Sequence, residues 1–211
     1  MPKPTKSNRS PRVPEPASGE LRIIAGSWRG RKLKFPALTG LRPTPNRVRE
    51  TLFNWVQASV QGSRCLDLFA GSGALGLEAL SRGAGSVTFI DNATQAVRQL
   101  RDNLQLLKAD NAEVQTAAAM DWLQRHELGT TPGYDLVFLD PPFHCDLLPQ
   151  ACELLESRNL LASQALIYIE SESQLGTPQL PDNWRQLRSK TAGKVTYGLY
   201  IRDPATDTDP A

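Results

Sequence analysis

Between residues 65 and 171 short strand-like runs alternate with stretches of helical periodicity, and this alternation constrains the fold more than any other feature of the 211-residue chain. The runs are CLDLFA (65–70), SVTFID (86–91), AEVQTA (112–117), YDLVFLD (134–140) and ALIYIES (165–171). Several are unbroken apolar stretches, as expected when helices cover both faces of a sheet. Between the first three lie a glycine-led helix near 73–82 and a helix that places Ala93, Ala96, Val97, Leu100, Leu104 and Leu107 on one face. A weaker helix follows Asp121, and another runs near 146–156. This order needs crossover connections, which are right-handed, and it predicts an α/β fold with a doubly wound, mostly parallel sheet. After Pro181 the pattern changes: WRQLRSKTAGKVTYGLYIRD reads as two strands joined through Ala192-Gly193, an antiparallel C-terminal edge pair.

The chain before residue 63 differs in kind. Residues 1–50 carry twelve of the 24 Lys and Arg but only three of the 22 acids, a balance of +9 against −7 for the remainder. That asymmetry suggests a basic arm or face for a polyanion; a solvated tail is the competing reading for residues 1–20. Residues 1–20 are rich in Pro, Ser, Lys and Arg and are expected to be a disordered basic tail. Residues 21–62 read as a small extension. LRIIAGSWRGRKLKF forms a β-hairpin with cations at its tip, and RPTPNRVRETLFNWVQASV opens on helix-starting prolines and places Val48, Leu52, Trp55, Val56 and Val60 on one helix face. Residues 63–203 then form the main domain and 204–211 a flexible tail.

Cys65, Cys145 and Cys152 lack paired spacing and only two histidines accompany them, so neither a disulfide framework nor a metal site is expected, and a reducing cytoplasm suits the chain. No run approaches ~18 consecutive apolar residues, and the first 20 residues have no apolar core like that of a signal peptide. A cytoplasmic monomer without membrane contact is the expectation.

Two motifs carry the chemistry. DLFAGSGALG (67–76) contains G-x-G-x-x-G directly after a strand and before a helix, with Asp91 closing the next strand twenty residues after Gly71. Glycines allow close approach of a ligand to backbone, and an acid at that second strand's end can accept hydrogen bonds from ribose hydroxyls. This is a Rossmann-like nucleoside site, and alone it would suggest a nicotinamide cofactor. Asp67 bears on the choice. A carboxylate four residues before the first glycine would repel a pyrophosphate but suits a ligand with an ammonium and a sulfonium, which S-adenosylmethionine combines. The alternative is that Asp67 braces the loop through backbone hydrogen bonds.

The second motif is FLDPPF (138–143). Asp140 ends the fourth strand, so it belongs on the same sheet rim as the glycine loop. Pro141 and Pro142 stiffen the turn, and Phe143 offers a flat face to a base. Acceptors from Asp140 and the Pro141 carbonyl can orient an exocyclic amine and receive its proton as a methyl group arrives. A Pro-Pro turn with an incidental acid is the bland alternative.

DLFAGSGALGLEAL followed by FLDPPF resembles the class I S-adenosylmethionine-dependent methyltransferases that modify amino groups. With LRIIAGSWRGRKLKFP, RPTPNRVRETLFNW, ALIYIESE and KVTYGLYIRD, the likeness over about residues 20–203 is to the RsmD family, which methylates the N2 amine of a guanine in bacterial 16S rRNA. The resemblance implies that Asp67, Ala70, Gly71 and Gly73 surround the methionine portion of the cofactor and that Asp91, where relatives often have Glu, holds the ribose. It also implies that Met120 and Asp121 meet the adenine, with Asp121 as a helix N-cap the alternative, and that Asp140, Pro141, Pro142 and Phe143 receive the target amine. The implied partner is 16S rRNA, in the small ribosomal subunit or an assembly intermediate. Arg29, Arg31, Lys32, Arg47 and Arg49, with Arg22, Lys34 and Arg42, are the candidate phosphate contacts. Pairing with an acid of the body competes for Arg47 and Arg49, and packing of the hairpin competes with RNA stacking for Trp28. His144 as a general base, and Cys145 or Cys152 as nucleophiles, are weaker readings. Competing functions are a DNA amine methyltransferase and a non-catalytic ribosome-assembly factor.

Overall fold

The structure is a computed structural model that describes residues 18–38, 43–127, 130–143, 145–176 and 178–203. A two-stranded antiparallel hairpin, β1 (Ser18–Arg22) and β2 (Lys32–Pro36), precedes helix α1 (Asn46–Trp55). The first hairpin strand thus begins at Ser18, three residues before the predicted boundary. Then follow β3 (Arg64–Asp67), α2 (Ala74–Ser81), β4 (Ser86–Asp91), α3 (Thr94–Leu107), β5 (Ala112–Thr116), α4 (Ala119–Arg125), β6 (Tyr134–Leu139), α5 (Leu148–Ser157), β7 (Leu161–Glu172), β8 (Trp184–Ala192) and β9 (Val195–Arg202). The last seven strands form one sheet in the order β5-β4-β3-β6-β7-β9-β8. Pairings from β5 to β7 are parallel, and β7–β9 and β9–β8 are antiparallel. The predicted edge pair is present, with the final strand lying inside β8.

Period-2 alternation along the strands divides the apolar side chains into two cores. One face collects Leu66, Ile90, Val137, Leu139, Ile167 and Ile169 against α4 and α5. The other collects Cys65, Phe89, Leu136, Phe138 and Tyr168 against α2, α3, α1 and the hairpin. Leu21, Ile23, Leu33 and Phe35 of the hairpin and Val48, Leu52 and Phe53 of α1 are buried in that second core. The N-terminal extension therefore shares a core with the sheet.

The docking is polar as well as apolar. Helix α2 is buried on every side, and Glu78, its one charged residue, is fully buried. Its carboxylate accepts hydrogen bonds from the Ile24 N–H (2.8 Å), the Ala25 N–H (3.0 Å) and Arg82 Nε (2.8 Å), and it pairs with Arg49 Nη1 at 3.4 Å. Arg49 is itself fully buried and also donates to the Arg22 carbonyl (2.8 Å) and Asn46 Oδ1 (2.6 Å). The expectation that Arg49 contacts RNA is overturned: a guanidinium sealed between α1, α2 and the hairpin has no face for a phosphate. Burial lowers its pKa, against the opposing charge of Glu78.

Several element limits differ from the sequence reading. Strand β3 stops at Asp67, and Leu68–Ala70 turn away to open the glycine loop while staying tied to the sheet through Leu68 N–H to Phe138 O (3.2 Å) and Ala70 N–H to Ile90 O (2.9 Å). Helix α4 starts at Ala119, ahead of Asp121, with Ala118 as its N-cap, so Asp121 lies in the first turn and is not the cap. No helix among the described residues is long and apolar enough to cross a membrane.

Candidate active site

Strand order reverses at β3, which lies between β4 and β6. In such sheets the crevice beyond the carboxyl ends of the strands at the reversal is the ligand site. Three acids stand there: Asp67 ends β3, Asp91 ends β4, and Asp140 follows β6, whose Phe138 is in register with Asp67.

The glycine loop that joins β3 to α2 needs its glycines for two separate reasons. Gly73, with φ +76°, sits in the left-handed region, and a Cβ there would come within 2.5 Å of Leu100 Cδ1. At Gly76 a Cβ would meet Phe89 Cε1 at 2.2 Å, so α2 could not lie this close to the sheet with any side chain. The flanking acids hold the loop. Asp67 Oδ2 accepts from the Gly76 N–H (3.0 Å), while Asp91 Oδ2 accepts from the Gly71 N–H (2.7 Å) and Asp91 Oδ1 from the Ala93 N–H (2.7 Å). Each carboxylate oxygen keeps a further lone pair for a ligand donor. Bracing and binding are therefore compatible at Asp67.

Asp67 is 3% exposed, and burial pushes its pKa up to about 7, with the charges of Asp140 and Asp91 adding to the rise and the Gly76 N–H opposing it. A buried, proton-retaining carboxyl beside two others is a site short of positive charge. A bound ammonium would supply it. Ala70 is buried next to the loop. Met120 is half-buried against the α4–α5 core, and Asp121 is exposed on α4.

On the other side of the crevice Asp140 is half-buried and its Oδ2 accepts from Thr44 Oγ1 at 3.3 Å. Burial pushes the Asp140 carboxyl up to about 6, and the Thr44 hydroxyl opposes the shift. Pro141 is half-buried, Pro142 exposed, and Phe143 is 43% exposed, one of two exposed large hydrophobic residues among those described. In sequence Thr44 is only part of a helix start, and a threonine between two prolines carries no sign of a reach across to the end of β6.

Of the remaining candidate cations, Arg29, Arg31, Lys32 and Arg47 are exposed, and Lys32 pairs with Glu20 at 2.9 Å on the hairpin surface. Trp28 is half-buried against the core and its backbone N–H donates to Ser81 Oγ at 3.0 Å, as its packing reading expected. His144 and Arg42 lie outside the described residues. Cys152 is buried, and burial pushes its thiol up to about 12, which disfavours a nucleophilic thiolate. Among the described residues no group of three or more His, Cys, Asp or Glu could hold a metal ion.

A seven-stranded sheet of this order, with a glycine loop and D-P-P-F on one rim, defines a class I methyltransferase fold. The chain belongs to the RsmD family. The family model described as Conserved hypothetical protein 95 matches residues 21–201. Ribosomal RNA small subunit methyltransferase D of Escherichia coli K12 is 50% identical over 192 residues, which cover 91% of this chain and 95% of that one. The protein of the same name from Haemophilus influenzae is 50% identical over 187 residues, 87% and 95% of the two chains. Among solved structures, the Escherichia coli protein yhhF superposes with a TM-score of 0.81 at 48% identity, covering 88% of this chain and 99% of that one.

Proposed function

We propose that this chain transfers a methyl group from S-adenosylmethionine to the exocyclic N2 of a guanine in 16S rRNA, presented in the small ribosomal subunit or an assembly intermediate. The convergence of Asp67, Asp91 and Asp140 at one switch point, with Phe143 exposed beside them, carries this reading. The high identity to relatives named as ribosomal RNA small subunit methyltransferases supports the reaction and the polymer.

The residues present fit the cofactor. Asp67, Ala70, Gly71 and Gly73 would surround the methionine portion, since a glycine-rich turn after a strand allows a ligand close approach to backbone. Asp91 would accept from the ribose hydroxyls through the lone pairs left by its two backbone partners, and Met120 and Asp121 would border the adenine. When bound, S-adenosylmethionine supplies a methyl group on a sulfonium. The protein does the rest by placement. Phe143 stacks the guanine, a contact worth ~1–3 kcal/mol by analogy with single-strand binding. Asp140 and the Pro141 carbonyl accept from the N2 amine, which turns its lone pair out of the ring and gives the released proton a carboxylate to reach. Arg29, Arg31, Lys32 and Arg47 hold phosphates at the hairpin and α1, independent of sequence.

Nucleoside mass spectrometry of small-subunit rRNA from cells with and without the gene tests the assignment. One N2-methylguanosine should disappear with the gene, and an unchanged nucleoside profile would refute it.

A further inference from the structure

The last strand pair concentrates positive charge that the proposed reaction leaves unassigned. Residues 184–202, β8 and β9 with their turn, hold five cations and no acid, although the chain after residue 50 is net −7. Two of the five are neutralised at the start of β8 and the end of β9: Arg185 pairs with Asp203 at 3.2 Å and Arg202 with Glu156 at 2.8 Å. The other three, Arg188, Lys190 and Lys194, are exposed and have no acid partner among the described residues. Arg188 donates to the Leu187 carbonyl at 2.9 Å.

Sheet register places these three at the end of the sheet that carries Asp140. Strand β9 runs against β7 and β8 against β9, so β8 ascends toward the same rim as β3, β4 and β6. Leu139 is in register with Ile169; one residue on, Glu170 is in register with Tyr197, and Tyr197 with Lys190. Asp140, Glu170, Tyr197 and Lys190 thus form one row across β6, β7, β9 and β8, on one face of the sheet. Three strand spacings separate its ends, about 14 Å of backbone. Tyr197 is buried and stacked on Trp55 of α1, ring centroids 5.6 Å apart, whereas Lys190 at the sheet edge is exposed. A two-residue turn, Gly193 with φ +63° and then Lys194, closes the hairpin at the rim. There the Lys194 carbonyl accepts from the Ser173 N–H, just past β7, at 2.9 Å.

The N-terminal hairpin tip lies elsewhere. Ser27 N–H donates to the Ser81 carbonyl at 2.7 Å and Trp28 N–H to Ser81 Oγ at 3.0 Å, and Ser81 is the last residue of α2, a helix that starts at the rim and runs away from it. Arg29 and Arg31 are therefore placed for phosphates distant from the base, and the row that ends in Lys190 is placed for those beside it. We propose that Arg188, Lys190 and Lys194 hold phosphates next to the target guanine, so that the RNA passes from the site over the rim onto the sheet edge at β8. This rests on the assignment of an RNA guanine as substrate. Cations on an edge strand also keep it from pairing with another chain. That role gives no reason for the unpaired cations to gather at the catalytic end while those at the other end are neutralised.

Filter binding to small-subunit particles from cells lacking the gene, between about 50 and 200 mM salt, tests the proposal, with calorimetry of S-adenosylmethionine to report an intact fold. Arg188→Gln, Lys190→Gln and Lys194→Gln should each reduce the slope of log affinity against log salt by about one, and the triple change by about two to three. In methyl-transfer assays the triple variant should raise KM for the particle and leave kcat unchanged. Lys108→Gln removes an exposed cation between α3 and β5, at the far end of the strands, and should alter neither quantity. A triple variant with the wild-type slope, or a Lys108→Gln protein that loses as much slope as Lys190→Gln, overturns the inference, while methyl transfer by the wild-type chain leaves the proposed function standing. A wild-type chain that neither binds nor methylates the particles would sink that function as well.

Discussion

Asp67 is held where its charge is costly to the empty protein. Its carboxyl titrates near 7 in the folded chain and near ~4 when unfolded, so the folded state binds the extra proton between those values and stability falls as pH rises through that window. Asp67→Asn removes the buried charge and retains an acceptor for the Gly76 N–H. It should therefore stabilise the ligand-free protein at pH 8 by on the order of 2 kcal/mol, with little gain at pH 4, and should weaken S-adenosylmethionine binding. Denaturant midpoints at the two pH values and calorimetry check both signs; equal stability at pH 8 would show that Asp67 carries no penalty. The residue scale is also where the sequence was most and least informative. Asp67, Asp91 and Asp140 were legible because an acid at the end of an apolar run is out of place. Arg49 was not, because a charge count cannot distinguish an exposed cation from one sealed against Glu78, an acid 29 residues away in sequence that α2 brings opposite it.

At the scale of elements, the buried Glu78 fastens three of them. Its oxygens meet two hairpin N–H groups, Arg49 of α1 and Arg82 beyond the end of α2. Breaking a buried pair on one side strands the other charge, so Glu78→Gln should cost ~3–5 kcal/mol in denaturant unfolding. Arg49→Met with Glu78→Gln should cost less than the two single changes together; strict additivity would mean that the pair is not coupled. The alternation of strand-like and helical segments located every strand of the main sheet, and the central strands stood out as apolar runs because both their faces are buried. It missed where β3 ends: Leu68 and Ala70 are as apolar as the strand before them and are buried, but in the turn that opens the glycine loop. It also extended α1 to Val60, since Val56 and Val60 are buried in irregular chain after the helix stops at Trp55.

For the whole molecule, the basic hairpin and α1 share the core face that also carries Tyr168 and, at the rim, Thr44 beside Asp140. Under the proposed function, the phosphates would lie at the hairpin and the base at the rim of this one shared core. Reversing Arg29, Arg31 and Arg47 singly to Glu should weaken RNA binding across sequences and reduce the salt slope by about one per lost phosphate contact, with cofactor affinity unchanged. Filter binding at several salt concentrations reads this, and an unchanged slope would remove the cation concerned from the interface. The charge split between residues 1–50 and the rest marks the hairpin and α1 as basic, whereas the hydrogen bond from Thr44 to Asp140 that ties this extension to the site has no signature in the sequence. The most direct measurement is nucleoside mass spectrometry of small-subunit rRNA from cells lacking the gene and supplied with either the wild-type chain or Asp140→Ala. Wild type should restore the N2-methylguanosine and Asp140→Ala should not, while still binding S-adenosylmethionine; restoration by Asp140→Ala would contradict the account.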